Sequence, residues 1–248
     1  VTSRLTFDFG GSTALVTGGT SGIGHAIATK LRDAGAVVTT TGRKPQAADY
    51  GVDLEGITYH QLELADRNGI QELAAEFSTL DILVNNAGAI FAGGMDESTP
   101  DGFRATVDLN LFGPFELTTA LHDALTKSTA PGGASVVGLS SLSTVRAVPM
   151  VPAYGAAKSG VLAMTRNFAM KWGPDRIRVN AVTAGFIDTP MTCPELVPDY
   201  IAEQLSRTPL GRLGTPEDVA DAVVFLCTEN SSFITGSVVT VDGGYCVS

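Results

Sequence analysis

The feature that most limits how this chain can fold is a short apolar run that enters a glycine-dense turn and then a helical stripe. Thr13-Ala14-Leu15-Val16 leads into Thr17-Gly18-Gly19-Thr20-Ser21-Gly22-Ile23-Gly24. Ile23, Ile27 and Leu31 then recur at i, i+4 and i+8, the apolar face of a buried helix. Gly35 ends that helix, and 36–41, rich in β-branched residues, reads as a second strand. Strand, helix and strand within about thirty residues make a βαβ unit.

The alternation continues along the chain. Asp66 is predicted to cap a helix carrying Ile70, Leu73 and Phe77, and Ile82-Leu83-Val84 is a strand. A longer helix is expected over roughly 103–127, a strand over 135–139, a helix over 153–172 and a strand over 178–182. Thr215 and Pro216 open a helix over 216–226, and 237–241 is a final strand. The strands are short unbroken apolar runs, as in a parallel sheet covered on both faces. Residues 1–248 are therefore expected to form one doubly wound α/β domain, a mainly parallel sheet with helices on both faces. Stretch 44–58 is polar and aperiodic and should be a loop or one poor helical turn. Stretch 186–212 carries Pro190, Pro194, Pro198 and Pro209 beyond a strand end. Loops there build the ligand crevice of an open α/β sheet, so 186–212 is the expected substrate lid.

Composition excludes several classes. Hydrophobic residues make up 44% of the 248, with 28 glycines, which excludes disorder. The net charge of −10 and the lack of any Lys/Arg cluster argue against a nucleic-acid partner. Cys193, Cys227 and Cys246 suit neither a disulfide framework nor a zinc site and should be small apolar fillers. His25, His60 and His122 lack partners at metal-ligand spacing, so no metal is expected and surface placement is. No signal peptide and no apolar run of about 18 residues is found. A cytoplasmic setting without a membrane span is the expectation.

The glycine turn offers N–H groups and the positive end of a helix dipole to an anion such as a dinucleotide pyrophosphate. Its pattern is G-x-x-x-G-x-G rather than G-x-G-x-x-G, and a glycine turn without a ligand is the alternative. The second strand ends Thr41-Gly42-Arg43-Lys44. A carboxylate there would bind the adenosine ribose of NAD(H) and repel a 2′-phosphate. Gly42 stands in that place, and the Arg43 guanidinium could meet the phosphate bidentately. NADP(H) is therefore expected over NAD(H), with a solvated loop arginine as the alternative.

Tyr154 and Lys158 are four residues apart, one helical turn on a shared face, and Ser140-Ser141 ends an upstream apolar run. An ammonium near a phenol stabilises the phenolate, and a serine hydroxyl can hold a substrate oxygen beside it. Such a triplet is an acid/base site for an alcohol or a carbonyl. A surface helix with a snorkelling lysine gives the same spacing.

Together these residues resemble the classical short-chain dehydrogenases/reductases over nearly the whole chain. The shared pattern includes Thr17 to Gly24, Asn85-Asn86-Ala87-Gly88 and Asn110. It also includes Ser141, Tyr154, Lys158, Pro209-Leu210-Gly211-Arg212, Thr215 to Ala220 and Asp242-Gly243-Gly244. The resemblance implies a Rossmann-type fold with Tyr154 as the acid/base. Lys158 would lower the tyrosine pKa and hold the nicotinamide ribose. Moving a tyrosine from about 10 to about 7 takes about 4 kcal/mol, within reach of an ammonium and a positive cofactor ring in a dry site. Ser141 would orient the substrate oxygen, with Ser140 the competitor, and Asn110 would interrupt its helix to hold a water joining Lys158 to solvent. Gly18, Thr20, Ser21, Gly22, Ile23 and Gly24 would contact the cofactor, as would Arg43. Glu63 and Leu64 would lie near the adenine, and Asn86, Ala87 and Gly88 at the adenosine ribose. Gly185, Ile187 and Thr189 would meet the nicotinamide end. Ala184-Gly185 stands where the family often has Pro-Gly. The region between the second and fourth strands looks shorter than usual.

Ile90, Phe91, Leu142, Val148, Met150, Val151, Phe186 and Met191 should wall the substrate pocket. The set is apolar and suits a ketone or secondary alcohol of hydrophobic or cyclic character. A 3-oxoacyl thioester on an acyl-carrier protein is the alternative substrate, although Lys127, Lys171 and Arg146 are thinly spread for an acidic partner. A non-catalytic dinucleotide-binding sensor on the same fold is a further alternative. The resemblance also implies a homotetramer, with a dimer open. The helices holding Asn110 and Tyr154 would pack across one two-fold axis and the last strand at another.

Overall fold

In the computed structural model, which describes residues 6–192 and 198–248, seven strands form one parallel sheet. In chain order they are β1 (Thr13–Val16), β2 (Val37–Gly42), β3 (Ile57–Gln61), β4 (Ile82–Asn85), β5 (Ala134–Ser141), β6 (Ile177–Ala184) and β7 (Val238–Val241). They lie side by side as β3-β2-β1-β4-β5-β6-β7, so the order reverses between β1 and β4. That reversal opens a crevice beyond the strand ends.

Side chains alternate across each strand and so divide between two cores. Ala14 and Val16 of β1 join Val38, Val84, Val137 and Val182 on one face. There α1 (Gly22–Asp33) and α8 (Pro216–Cys227) cover them with Ile27, Leu31, Val219 and Val223. Leu15 points the other way, to Leu83, Val136 and Val179. That side is covered by α2 (Arg67–Ala75), α4 (Gly113–Ala120) and α6 (Pro152–Trp172). Each fully buried leucine contributes about 1.5–3 kcal/mol, so both faces are held firmly.

The caps fall where the side-chain chemistry directs. The Asp66 carboxylate accepts from the Asn68 N–H at 3.0 Å to start α2. Thr215 accepts from the Asp218 N–H at 3.2 Å, and the Asp218 carboxylate accepts from the Thr215 N–H at 2.7 Å. This reciprocal box starts α8.

Two elements differ from the sequence expectation. Strand β3 begins inside the stretch expected to be a loop, although Ala47–Tyr50 is indeed one 3-10 turn. It is an edge strand whose polar Thr58, His60 and Gln61 suit an open rim, so it carries no apolar run. The expected long helix over 103–127 is broken into α3 (Pro100–Val107), a π turn (Asp108–Phe112), α4 and α5 (His122–Thr126). Pro114 has no N–H to offer the carbonyl of Asn110 four residues earlier. The helix widens around Asn110 accordingly.

Cys227 is buried, Cys246 is half-buried and both are free, while Cys193 lies outside the described residues. The histidines are half-buried rather than on open surface. His122 packs on Trp172 and lies 3.3 Å from Asp175, and His60 lies 3.2 Å from Glu76. Among the described residues no helix is long and apolar enough to cross a membrane, and no His/Cys/Asp/Glu group could hold a metal ion. The last expected lid segment contains α7 (Pro198–Ser206), while 193–197 lie outside the described residues.

Candidate active site

A cavity of about 790 Å³ opens beyond the ends of β1, β4, β5 and β6. Its first wall is the glycine turn. The Thr17 hydroxyl accepts from the N–H groups of Asn86 and Ala87, both at 3.0 Å. The Asn86 amide donates back to the carbonyl of Thr17 at 2.9 Å. On the other side the Thr40 hydroxyl accepts from the Gly19 N–H at 2.9 Å and donates to the Val16 carbonyl at 2.7 Å. A Cβ at Gly24 would collide with the Asn86 amide nitrogen and the Gly18 carbonyl. Ser21 takes the N-cap of α1 without a side-chain capping bond, and no acidic residue occupies the first turn. The opening N–H groups of α1 therefore face the cavity as an anion site.

The far end of this wall is set by Gly42. A Cβ there would lie 2.5 Å from the Tyr50 hydroxyl and 2.9 Å from the Thr20 methyl, so an acidic side chain has no room unless Tyr50 moves. Tyr50 accepts from the Lys44 N–H at 2.6 Å, and the Lys44 ammonium sits 4.8 Å from its ring centroid. Arg43 is exposed at the cavity rim, and its guanidinium makes no hydrogen bond or ion pair among the described residues. Glu63 and Leu64 also line the cavity.

The second wall carries the candidate reactive side chains. On α6, Tyr154 and Lys158 face the cavity one turn apart, with the Lys158 ammonium 5.5 Å from the phenol ring centroid. Lys158 is 3% exposed and donates to the Leu139 carbonyl at 2.8 Å. Ser141, at the end of β5, hydrogen-bonds the Tyr154 phenol and accepts from the Ser143 N–H at 3.3 Å. Ser140 also borders the cavity, but its hydroxyl is spent on the Lys158 carbonyl at 3.3 Å.

Electrostatically the pair differs from the expectation of a lowered tyrosine. Tyr154 is half-buried, its open side in the cavity, and this desolvation pushes the phenol up to about 12. The Ser141 hydroxyl pulls it down and the Glu97 carboxylate pushes it up. Burial also brings Lys158 down to about 8. Desolvation disfavours each charged form and is the leading cause of both shifts. With the protein's own groups, the phenol is a protonated donor at neutral pH.

Asn110 is fully buried, and both its amide hydrogens are spent on carbonyls, Ala89 at 2.8 Å and Thr106 at 2.9 Å. Its amide oxygen accepts from the Ala89 N–H at 3.2 Å. The side chain thus clamps the strand-end loop that carries Gly88.

Ile90, Leu142, Val148, Met150, Val151, Phe186 and Met191 line the cavity. Phe91 does not. Its left-handed backbone, φ 49°, turns the ring outward while its N–H points inward to Glu97. Gly185, Ile187 and Thr189 line the cavity, and the Gly185 N–H bonds the Val241 carbonyl at 2.9 Å, so the turn after Ala184 stays laddered. Phe186 meets Tyr200 and Tyr245 edge-on, with ring centroids 6.0 and 5.2 Å away.

Sequence reasoning missed Tyr50, Tyr200 and Glu97. The tyrosines reach the cavity from elements distant in the chain. Glu97 lies in Asp96-Glu97-Ser98-Thr99, which reads as an exposed acidic lead into α3. It is instead fully buried, accepting from the N–H groups of Phe91 and Tyr154, each at 2.9 Å.

A family model described as enoyl-(acyl carrier protein) reductase matches residues 18–246. A 3-oxoacyl-[acyl-carrier-protein] reductase, FabG, of Thermotoga maritima is 35% identical, covering 96% of this chain and 98% of its own. A tropinone reductase homolog of Arabidopsis thaliana is 36% identical, covering 96% and 93%. The solved NADP complex of Pseudomonas aeruginosa RhlG superposes with a TM-score of 0.88 at 29% identity, covering 98% and 100%. With the glycine turn, the parallel sheet and matches over nearly its full length, the chain belongs to the classical short-chain dehydrogenases/reductases, a family of oxidoreductases.

Proposed function

We propose that this oxidoreductase transfers a hydride between NADPH and a ketone or secondary alcohol, with Tyr154 as the acid/base. One observation carries the reading: the Ser141 hydroxyl meets the Tyr154 phenol, with the Lys158 ammonium one turn below. The anion site at the start of α1 shares their cavity.

The residues fit the dinucleotide. The turn leaves no room for a side chain at Gly24 and keeps its N–H groups open. Gly18, Thr20, Ser21, Gly22, Ile23 and Gly24 would hold the pyrophosphate. Asn86, Ala87 and Gly88 would flank the adenosine ribose, and Glu63 and Leu64 the adenine. Gly185, Ile187 and Thr189 would hold the nicotinamide amide. Arg43, unpaired and beside a Gly42 that has no room for a carboxylate, favours a 2′-phosphate. Bound there, NADPH supplies the hydride.

The chain's own residues manage the proton. Ser141 donates to the substrate oxygen and orients it. Tyr154 gives that oxygen its proton as the carbonyl becomes an alcohol, and the raised phenol suits this donor role. Lys158 steadies the phenolate and holds the nicotinamide ribose. A water on the Asn110 carbonyl, whose α-helical partner Pro114 removes, returns the proton. Residues 186–212 act as the substrate lid. Phe103, Phe112 and Phe115, exposed around the Asn110 turn, support a homotetramer.

The apolar wall, with Met150 65% and Met191 47% exposed at the opening, favours a hydrophobic or cyclic ketone. The similarity to the Thermotoga maritima reductase favours a 3-oxoacyl thioester as the second reading. Following NADPH and NADH oxidation over cyclic ketones, diketones and 3-oxoacyl thioesters decides between them. Cofactor binding without turnover on the whole panel would support a sensor instead.

A further inference from the structure

We propose that Glu97 is a positioning residue for Tyr154, locking the start of α6 and the loop after β4 into one frame. The inference rests on Tyr154 being the acid/base. Glu97 is fully buried. One carboxylate oxygen accepts from the Phe91 N–H and the other from the Tyr154 N–H, both at 2.9 Å, the latter across 57 residues of sequence. No Lys, Arg or His pairs with it among the described residues. A buried carboxylate is costly unless its oxygens are satisfied. Here two N–H groups and the positive end of a 21-residue helix satisfy them.

The start of α6 shows why a remote acid is used. Val151 holds the N-cap position and Pro152 follows, with no side-chain capping bond. Val151 lines the cavity instead. Tyr154 is the third helical residue, so its N–H is one of the groups a helix cannot satisfy internally. Glu97 takes that bond and joins it to the loop. The same loop is gripped at Ala89 by Asn110. The phenol and the loop that flanks the cofactor wall therefore move as one body.

Glu97 also acts on the phenol through its charge. Lys158 from α6, Ser141 from β5 and Glu97 from the lead into α3 are the groups that bear on it. A carboxylate favours the neutral phenol over the phenolate. Glu97→Gln removes that charge and leaves one N–H facing an amide N–H. Glu97→Asp keeps the charge but shortens the reach.

The test compares both variants with the parent in full-length protein. Both should retain NADPH affinity within about threefold by fluorescence titration, while kcat falls about 10- to 100-fold through misplacement of the phenol. In alcohol oxidation with NADP+, the limb of the pH profile that reports tyrosine deprotonation should move to lower pH in Glu97→Gln and stay in place in Glu97→Asp. A residue that merely holds the fold would move neither limb. Parent-like kcat and pH limb in folded Glu97→Gln overturn the proposal. If that variant does not fold, Glu97→Asp decides: lowered kcat at unchanged NADPH affinity supports the role, and parent kcat removes it. Tyr154→Phe, assayed alongside, separates the two ideas. Activity there would end the acid/base reading itself, whereas an inactive Tyr154→Phe beside a parent-like Glu97→Gln ends only the role of Glu97.

Discussion

The two walls of the cavity are made of different material. The glycine-turn wall is mostly main chain, pinned from behind by three side chains: the Thr17 hydroxyl holds the N–H groups of Asn86 and Ala87, the Thr40 hydroxyl that of Gly19, and the Asn86 amide the Thr17 carbonyl. The opposite wall is side chain. Ser141, Tyr154 and Lys158 stand on it, ringed by apolar residues of which Met150 and Met191 are open to solvent. A backbone wall can be altered only by collision, whereas a side-chain wall can be altered one atom at a time. One fold can thus keep its dinucleotide site while exchanging its substrate.

The largest effect should come from the reactive wall. Tyr154→Phe keeps the ring and its packing but removes the proton, so kcat should fall about a thousandfold. NADPH affinity by fluorescence titration should stay put. Activity close to the parent would mean that the two walls do not divide proton transfer from cofactor binding.

Gly24→Ala attacks the backbone wall. The new methyl meets the Asn86 amide and the Gly18 carbonyl, neither of which can yield without breaking the tie between β1 and β4. Overpacking of this kind costs about 1–3 kcal/mol, which taken from the bound state is about a 5- to 150-fold loss of NADPH affinity. Every substrate should suffer equally. A loss confined to some ketones would erase the distinction between the walls.

Arg43→Ala should raise the KM for NADPH about tenfold, the scale of one charge-assisted contact, and leave that for NADH nearly unchanged. Equal effects on both would show that Arg43 does not read the phosphate. Met150→Ala should be milder, about a threefold change in substrate KM because the side chain is already largely exposed. KM for NADPH measured in the same assays should not move.

The two walls were not equally legible. β1, α1 and β2 announce themselves because β1 is buried on both faces while β2 and α1 bury one, which forces an apolar run, a β-branched run and a stripe. Edge strand β3 escapes that pressure and so escaped the pattern. Tyr154 and Lys158 are legible because a helix turns local spacing into contact. Their charge balance is not, since burial pushed the phenol up rather than down. Phe91 was misplaced because one left-handed residue reverses where a side chain points. Glu97 was invisible because its partner is in another helix, and nothing local separates a buried acid from the solvated ones beside it.

The smallest effect lies behind the reactive wall, at the cap of α8. Gly214 precedes that cap, accepts from the Asp188 N–H at 2.8 Å and donates to the Phe186 carbonyl at 2.9 Å, so the cap braces the strip carrying Ile187. Asp218 bonds the Arg212 guanidinium and the Thr215 N–H, the latter at 2.7 Å. The guanidinium leads in holding its carboxyl down to about 2, helped by the Thr215 backbone and opposed by slight burial. A carboxyl depressed on folding adds stability that is fully present above its unfolded value near 3.9 and is lost as pH falls through the folded value. The pair is substantially exposed, 54% and 33%, so water screens it to below about 1 kcal/mol. Asp218→Asn should therefore unfold at a slightly lower denaturant midpoint than the parent, by the same margin from neutral pH down to about 4. The margin should close as pH falls from about 4 towards 2. A margin that persists at pH 2 would assign the cap's contribution to packing instead of charge. Substrate KM at neutral pH should change by less than about twofold, because the brace at Gly214 is made by backbone bonds that the substitution leaves intact.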